Sequence, residues 1–216
     1  MPAEIDIKSN LSKVYANIER AAKRSGRDVN DITLIAVSKT KPVSMIKECI
    51  ECGTVIFGEN KAQEMASKIS ELHDDNLNWH FIGHLQRNKV KYVVGNACMI
   101  HSVDSVRLAE AINAEAVKKG VICDILIEVN IACEDTKIGI KPEDIYDFID
   151  EIRNFHNIKI RGLMTIAPYV DNPEDNRIYF RKLKQLSVDI KSKNIDNVDM
   201  DELSMGMTGD YEVAIE

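Results

Sequence analysis

The stretch Ile32-Thr33-Leu34-Ile35-Ala36-Val37-Ser38-Lys39-Thr40-Lys41-Pro42 decides how this chain is expected to fold. Its first six residues are apolar or β-branched, which predicts a buried strand from Ile32 to Val37. Pro42 suits the first turn of a helix that follows directly. Lys39 therefore ends a buried strand, and its amine is expected at the rim of a sheet. Burial of the lysine stem disfavours the charged ammonium, which is what a Schiff-base lysine needs; a lysine that merely extends into solvent is the alternative.

The same pattern, a short apolar strand followed by a helix, repeats along the rest of the chain. A first helix is predicted from Ile7 to about Ser25; later helices include one that opens at Gly83 and runs to Val94 and one that begins at Thr208. Such alternation indicates a parallel sheet covered by helices. Besides Ile32–Val37, the predicted strands are Thr54–Phe57, Trp79–Ile82, Met99–Val103, Ile122–Val129, Ile158–Met164 and Asp199–Met205.

About seven strands in succession favour a TIM-type (β/α)8 barrel, one strand short of the eight that close such a barrel. A doubly wound open sheet is the rival fold, but the Gly-x-Gly-x-x-Gly motif expected after its first strand is missing. The length of 216 residues and the lack of an obvious linker favour one domain over residues 1–216. We therefore expect a single-domain α/β barrel that lacks its eighth strand.

Composition and charge exclude several classes of protein. The chain is 44% hydrophobic and its net charge is −7, which argues against binding to nucleic acid or to an anionic membrane. It has no apolar stretch of membrane-spanning length and no signal pattern at Met1–Asp6, and its five cysteines, an odd number, suit a reducing compartment. A cytoplasmic protein is therefore expected. Cys49 and Cys52 have CxxC spacing, but they lie near the end of a helix and lack a second cysteine pair, so neither redox chemistry nor zinc binding is expected.

Polar residues follow nearly every predicted strand. Because ligands of parallel α/β folds meet the carboxyl ends of the strands, these residues are candidate site positions. About half of them are expected to be caps or turn residues, with Asn60 and Ser102 the foremost structural candidates. His84 is a candidate ligand contact, whereas His80 lies in a strand and cannot share a helical face with His84 to bind zinc. The positions are Lys39, Asn60, His84, Ser102, Asn130, Thr165 and Ser204.

A glycine-rich turn, Leu203-Ser204-Met205-Gly206-Met207-Thr208-Gly209-Asp210, links the last predicted strand to the last helix. Glycines let backbone N–H groups approach a ligand, and a helix N-terminus favours anions, so the turn is a candidate phosphate cradle. A tight turn with Thr208 as the helix N-cap is the alternative, with equal support. The polar segment Ile131–Ile140 is long enough to be a functional loop.

Five segments of the chain resemble one family, the pyridoxal phosphate homeostasis proteins. The resemblance runs from Ile32 to Glu216 in the family's order and spacing, and motifs of this length and number are specific. The segments are Leu34–Pro42, Phe57–Glu64 (Phe-Gly-Glu-Asn-Lys-Ala-Gln-Glu), Trp79–Lys89 (Trp-His-Phe-Ile-Gly-His-Leu-Gln-Arg-Asn-Lys), Arg161–Pro168 (Arg-Gly-Leu-Met-Thr-Ile-Ala-Pro) and Leu203–Asp210.

The resemblance implies a barrel like the N-terminal domain of alanine racemase, with pyridoxal 5′-phosphate held as a Schiff base on Lys39. It also implies that members carry or regulate the intracellular supply of this cofactor without an established catalysed reaction, and pyridoxal phosphate-dependent apoenzymes are the partners to consider. No catalytic residue and no metal ligand are implied. By the same resemblance, the cofactor-binding residues are Lys39, Asn60, His84, Met164, Thr165, Ser204, Met205, Gly206 and Thr208.

Two segments depart from the family pattern. Where members usually have Ser-Gly-Glu-Glu-Ser-Lys, this chain has Ala132-Cys133-Glu134-Asp135-Thr136-Lys137, a conservative change. Members also continue past the last helix into an eighth strand with a Val-Arg-x-Gly segment that helps to bind the cofactor's ring nitrogen and phosphate. This chain ends before that segment, so the cofactor site is expected to be incomplete.

Two other functions are compatible with a Schiff-base lysine on a barrel. A pyridoxal phosphate-dependent racemase-like enzyme needs a base on each face of the substrate α-carbon, and in alanine racemase a second, β-rich domain supplies one; no such domain follows Ser204. A Schiff-base aldolase uses no cofactor, but aldolases usually carry their lysine on a late strand rather than the first. A cofactor-binding protein is therefore the leading hypothesis.

Overall fold

The computed structural model describes residues 6–134 and 137–216, and within them strands and helices alternate. The strands are β1 (Ala36–Val37), β2 (Ile56–Glu59), β3 (Asn78–Phe81), β4 (Met99–Val103), β5 (Cys123–Glu128), β6 (Ile158–Met164) and β7 (Val198–Ser204). The α-helices are α1 (Ile7–Ser25), α2 (Val43–Glu51), α3 (Ala62–Leu72), α4 (Val90–Val93), α5 (Val106–Lys119), α6 (Ile145–Ile152), α7 (Arg177–Lys191) and α8 (Tyr211–Ile215).

All strand pairs are parallel, and the sheet order follows the chain order from β1 to β7. The sheet curves strongly. Evidence for this is the hydrogen bond between the His101 side chain on β4 and the Ser204 side chain on β7, three strands away. Such a contact requires both residues to face the inside of a curved sheet. The architecture is therefore the expected TIM-type barrel arrangement, with the expected seven strands in the described residues.

The main apolar core lies between the sheet and the helices. On β5, Ile125 and Ile127 are fully buried in it, as the two-residue period of a strand requires for one face. The helices contribute their apolar faces, for example Leu108, Ile112 and Ala116 of α5 at spacings of four residues. A smaller cluster, Ile18, Ala21, Ala22 and Ile215, joins α1 to α8.

Three predicted boundaries are wrong. The strand predicted from Ile32 is regular only from Ala36, because Ile32 ends a 3-10 turn and packs with Leu34 against the α1–α8 cluster. The helix predicted from Gly83 begins as a 3-10 turn at Arg87 and becomes α4 only at Val90. The last helix begins at Tyr211, with Asp210 rather than Thr208 at its N-cap.

The predicted loop Ile131–Ile140 is described except for Asp135 and Thr136, which lie outside the described residues. Its ends are tied together, since the Asn130 N–H donates to the Ile140 carbonyl over 3.0 Å.

No helix in residues 6–134 or 137–216 is both long enough and apolar enough to cross a membrane.

Candidate functional site

Lys39 lies just beyond β1, on the side of the sheet where the carboxyl ends of all the parallel strands meet. Its side chain is exposed, and within the described part of the chain its amine has no ion-pair or hydrogen-bond partner. The expected burial of the lysine stem is therefore wrong. The reason is that β1 has only two residues and stands at the end of the sheet order, so that Val37 is also 48% exposed.

A tight turn from Ser38 to Lys41 presents Lys39. The Lys41 N–H donates to the Ser38 carbonyl over 3.0 Å, and the Ser38 N–H donates to the Gly58 carbonyl of β2, also over 3.0 Å. Thr40 has a φ of 62°, in the left-handed region. That conformation is a strained one for a β-branched residue, so other contacts must hold it.

Those contacts come from a network of charged side chains that consists of buried Glu59 and Lys68 and partly exposed Glu64. The Lys68 ammonium donates to Glu59 Oε1 over 2.6 Å, to Glu64 Oε1 over 2.7 Å and to the Ser38 carbonyl over 2.7 Å. The Ser38 hydroxyl donates to Glu59 Oε1 over 2.6 Å, and the Thr40 N–H donates to Glu64 Oε1 over 2.6 Å. The network therefore holds the backbone at Ser38 and at Thr40, on both sides of Lys39.

Two of the three charged groups in this network are buried. Glu59 is fully buried and Lys68 is 6% exposed, so their charges depend on each other rather than on water. The Lys68 ammonium beside Glu64 holds the pKa of that carboxyl below its usual value, against the opposing effect of burial, and the Thr40 N–H adds to the lowering.

The next two strand ends carry Asn60 and His84. Gly83 packs against the backbone of Asn60 so closely that no side chain would fit there, and its carbonyl accepts from the Ser102 hydroxyl over 2.5 Å. These contacts hold residues 82–86 in a non-helical conformation where a helix is predicted. The Asn60 side-chain oxygen is buried and has no partner in the described residues, whereas His84 is exposed with its Nδ1 3.5 Å from Asp104 Oδ2. The buried Ser102 hydroxyl thus makes a backbone contact of the kind expected for a structural residue.

Met164, Thr165 and Ser204 are brought together at the ends of β6 and β7. Met164 pairs with Ser204 in the ladder, and the Thr165 N–H donates to the Ser204 carbonyl over 3.0 Å. The Thr165 hydroxyl donates to the carbonyl of Val129, the residue directly after β5, over 2.7 Å. Thr165 is buried, whereas Ser204 keeps partial exposure.

A chain of hydrogen bonds runs from Ser204 into the barrel. His101 Nδ1 lies 2.8 Å from Ser204 Oγ, and His101 Nε2 lies 2.8 Å from His80 Nδ1. Burial, and then the neighbouring His80, lower the pKa of His101 to about 3, so its ring is neutral near pH 7. A neutral imidazole donates from one nitrogen and accepts at the other, and the chain is satisfied in that state.

The glycine-rich turn after Ser204 is held in place by hydrogen bonds to the Asp210 side chain. Asp210 accepts from the Met207 N–H over 2.6 Å and from the Asn176 side chain over 2.8 Å. Gly206 has a φ of 88°, which favours glycine. Among the described residues, the N–H groups of Gly206, Thr208 and Gly209 have no acceptor, and Thr208 is exposed. The turn therefore presents free backbone donors, as an anion cradle does.

A further acidic group, Glu128, lies at the carboxyl end of β5. Glu128 is 8% exposed, and burial, followed by the charge of Asp104, raises its pKa to about 7. It therefore changes charge close to neutral pH.

A cavity of about 280 Å³ lies against the turn, but it is not the Lys39 site. It is lined by Thr208, Gly209 and Asp210 together with Arg24 and Asn172, and Lys39 does not line it. In residues 6–134 and 137–216, no group of three or more His, Cys, Asp or Glu side chains could hold a metal ion.

The structure thus joins some predicted residues directly and others through the sheet. Met164, Thr165 and Ser204 touch, Asn60 packs on the segment that leads to His84, and Lys39 is linked to β2 through Ser38. Met205 packs on the small apolar cluster of Ala167, Phe180, Val213 and Ala214. Residues that the sequence analysis missed are Glu59, Glu64, Lys68, His101, Glu128 and Asp210. A glutamate ending an apolar strand and an i,i+4 Glu–Lys pair were the available signals for the first three.

Comparisons with known proteins agree on one family. The family model described as alanine racemase, N-terminal domain, matches residues 9–215. The pyridoxal phosphate homeostasis protein of Aquifex aeolicus (strain VF5) is 46% identical over 206 residues, which cover 95% of this chain and 90% of that protein. The protein of the same name from Escherichia coli (strain K12) is 37% identical over 214 residues, 97% of this chain and 90% of that protein.

Solved structures agree with the sequence relatives. PipY of Synechococcus elongatus PCC7942, solved with PLP bound, has a TM-score of 0.79 and 31% identity, and the match covers 92% of each chain. An alanine racemase of Clostridium difficile 630 has a TM-score of 0.73 at 17% identity, covering 96% of this chain and 52% of that one. The second likeness shows the shared barrel fold only.

Proposed function

Since the chain belongs to the family of pyridoxal phosphate homeostasis proteins, we propose that it binds pyridoxal 5′-phosphate as a Schiff base on Lys39 and serves the intracellular supply of this cofactor. The observation that carries the proposal is the Lys39 amine, which is exposed, has no partner in the described residues and projects from a firmly held turn at the ligand-binding edge of the barrel.

The residues at the carboxyl ends of the strands fit this cofactor. When bound, it supplies an aldehyde for the lysine amine, and the covalent step joins Nζ to the aldehyde carbon with release of water. The free N–H groups of Gly206, Thr208 and Gly209 suit a phosphate. The buried, unpartnered oxygen of Asn60 can accept from a hydroxyl or N–H of a ligand.

We assign each of the other candidate residues a role in cofactor binding from its position in the structure. Ser204, on the hydrogen-bond chain from His80, donates its hydroxyl to the phosphate, and Met205, Gly206 and Thr208 complete the cradle. Met164 and Thr165 form the wall beside Ser204, and His84 approaches from the exposed rim. These roles are proposals.

The setting of the protein is proposed with the same function. Recipients would be pyridoxal phosphate-dependent apoenzymes, which the exposed Lys39 could reach. The cysteines Cys49, Cys52, Cys98, Cys123 and Cys133 are free, which supports a reducing, cytoplasmic compartment. We also propose that residues 1–216 form one domain.

Borohydride reduction of the protein incubated with pyridoxal 5′-phosphate tests the proposal. Reduction should fix the mass of the cofactor on the peptide that contains Lys39, and Lys39→Ala should abolish both this label and the visible absorption. Because Lys39 is exposed, Lys39→Ala should melt within a few degrees of the parent protein.

Lys41→Ala is the matched control, since it removes an exposed lysine two residues away and should keep the label. A label on Lys41 in the parent protein, or no label at all, would contradict the proposal. In a Schiff-base aldolase, reduction in the presence of a sugar substrate would instead fix the mass of that sugar on the lysine, which mass spectrometry distinguishes from the mass of the cofactor.

A further inference from the structure

We propose that Glu64, with Lys68 and Glu59, is a positioning residue that holds Thr40 in its left-handed conformation and thereby aims Lys39. The inference rests on the proposed function of Lys39, since it concerns how that lysine is presented. None of the three residues is proposed to touch the cofactor.

The strain at Thr40 is the first step of the argument. A threonine with a φ of 62° is uncommon, because its branched Cβ crowds the backbone. Glycine or asparagine normally occupies the third position of a turn with positive φ. A strained residue next to a reactive one persists only where its surroundings hold it.

The second step is the source of that hold. Glu64 Oε1 accepts from the Thr40 N–H over 2.6 Å, and the same oxygen accepts from the Lys68 ammonium over 2.7 Å. Hydrogen bonds to a charged group are stronger than neutral ones. Glu64 therefore fixes the peptide between Lys39 and Thr40, and Lys68 fixes Glu64.

The third step is the other side of Lys39. Lys68 also donates to the Ser38 carbonyl, and the Ser38 hydroxyl binds Glu59, which is fully buried. The backbone is thus clamped at Ser38 and Thr40, whereas the Lys39 side chain between them is left free. A clamp of this form fixes the direction of a side chain without occupying its amine.

Four variants of the full chain test the inference: Glu64→Ala, Thr40→Gly, the double variant, and Lys191→Met as control. Lys191 forms an exposed ion pair with Asp201, at 2.7 Å, far from the turn in sequence. Each protein is incubated with pyridoxal 5′-phosphate well below its melting temperature. The dissociation constant at Lys39 and the ratio of reduced label on Lys39 to that on Lys41 are then measured.

Glu64→Ala should weaken attachment at Lys39 by about tenfold or more, because a charge-assisted hydrogen bond is lost and a reactive group is misdirected. The ratio of Lys39 to Lys41 label should fall with it, which a general loss of stability would not cause. Thr40→Gly should restore most of the loss in the double variant, since glycine adopts positive φ without support. Lys191→Met should match the parent protein.

The outcomes separate the inference from the proposed function. If the parent protein carries no label on Lys39, the proposed function fails, and this inference fails with it. If the parent is labelled on Lys39 but Glu64→Ala binds equally well, or Thr40→Gly restores nothing, only the inference is overturned. If Glu64→Ala does not fold, Glu64→Gln replaces it; this variant keeps an oxygen for the Thr40 N–H, and unchanged attachment and melting in it would refute a role for the charge.

Discussion

His101 shows how a single buried side chain can serve the candidate site from a distance. Its ring stays neutral, because burial and then His80 lower its pKa to about 3. If Ser204 donates its hydroxyl to an anion, Ser204 Oγ must accept from His101 Nδ1, and His101 Nε2 must accept from His80 Nδ1. The three residues therefore orient one another.

Ser204→Ala should destabilise the protein without cofactor by about 1–3 kcal/mol, because it leaves a buried nitrogen of His101 without a partner. Denaturant unfolding measures this difference. Ser70→Ala is the control, since Ser70 is exposed on α3 and should change the free energy of unfolding by less than about 0.5 kcal/mol. Equal effects of the two variants would show that the hydrogen-bond chain contributes nothing to stability.

At this scale the sequence predicted which residues stand at the strand ends but not how they are held. Lys39 was found from the apolar run before it, yet its exposure was not, because exposure depends on β1 standing at the end of the sheet. Glu59 and Lys68 come together from β2 and α3, and His101 and Ser204 from β4 and β7. The first contact depends on how α3 packs against β2, and the second depends on the curvature of the sheet; no local pattern specifies either.

The turn between β7 and α8 is the element on which the phosphate proposal depends most. Gly206 combines a φ of 88° with close packing, since a methyl group there would lie 2.9 Å from both Ala214 Cβ and Tyr211 Cα. Gly209, three residues later in the same turn, has open space around it. Gly206 and Gly209 therefore differ in how closely they are packed, although both are glycines of the same turn.

Gly206→Ala should lower the free energy of unfolding by about 1–3 kcal/mol, through backbone strain and overlap with α8, and should weaken cofactor retention. Gly209→Ala should leave both nearly unchanged. Thermal melting and retention of pyridoxal 5′-phosphate on dialysis measure the two effects. A loss of retention in Gly209→Ala as large as in Gly206→Ala would mean that the turn does not act through the conformation of Gly206.

Several strands with a strong apolar pattern were predicted well, whereas β1 and the elements that depend on packing were not. The runs around Phe57, Trp79 and Ile125 gave β2, β3 and β5 within two residues or so of their ends. The helix predicted from Gly83 failed, because Gly83 is packed on Asn60 and bonded by Ser102, contacts between strand ends that are distant in sequence. The α8 boundary failed because Asp210 binds the Met207 N–H and so caps the turn in place of Thr208.

The stability of the whole molecule is expected to respond to pH through two buried groups with opposite trends. The pKa of His101 is about 3 in the folded state, against an ordinary value of 6.5, so the folded state is harder to protonate. The contribution of neutral His101 to the free energy of unfolding is therefore present above pH 6.5 and is lost as the pH falls towards 3. The pKa of Glu128 is raised from 4.5 to about 7, so the folded state holds its proton more tightly. Its contribution is complete below pH 4.5 and is lost as the pH rises through 7.

Glu128→Gln separates these two trends, because glutamine has nearly the shape of a protonated glutamate and never becomes charged. Near pH 8 the parent protein buries the Glu128 carboxylate beside Asp104, and the variant should be more stable by up to the order of 3 kcal/mol. Near pH 4.5 the parent carboxyl is protonated and the difference should nearly vanish. Denaturant unfolding at the two pH values measures both free energies, with Glu151→Gln as the control, since Glu151 is exposed on α6. If Glu128→Gln changes the stability equally at both pH values, its effect comes from packing, and the Glu128 carboxyl does not set the decline of stability towards alkaline pH.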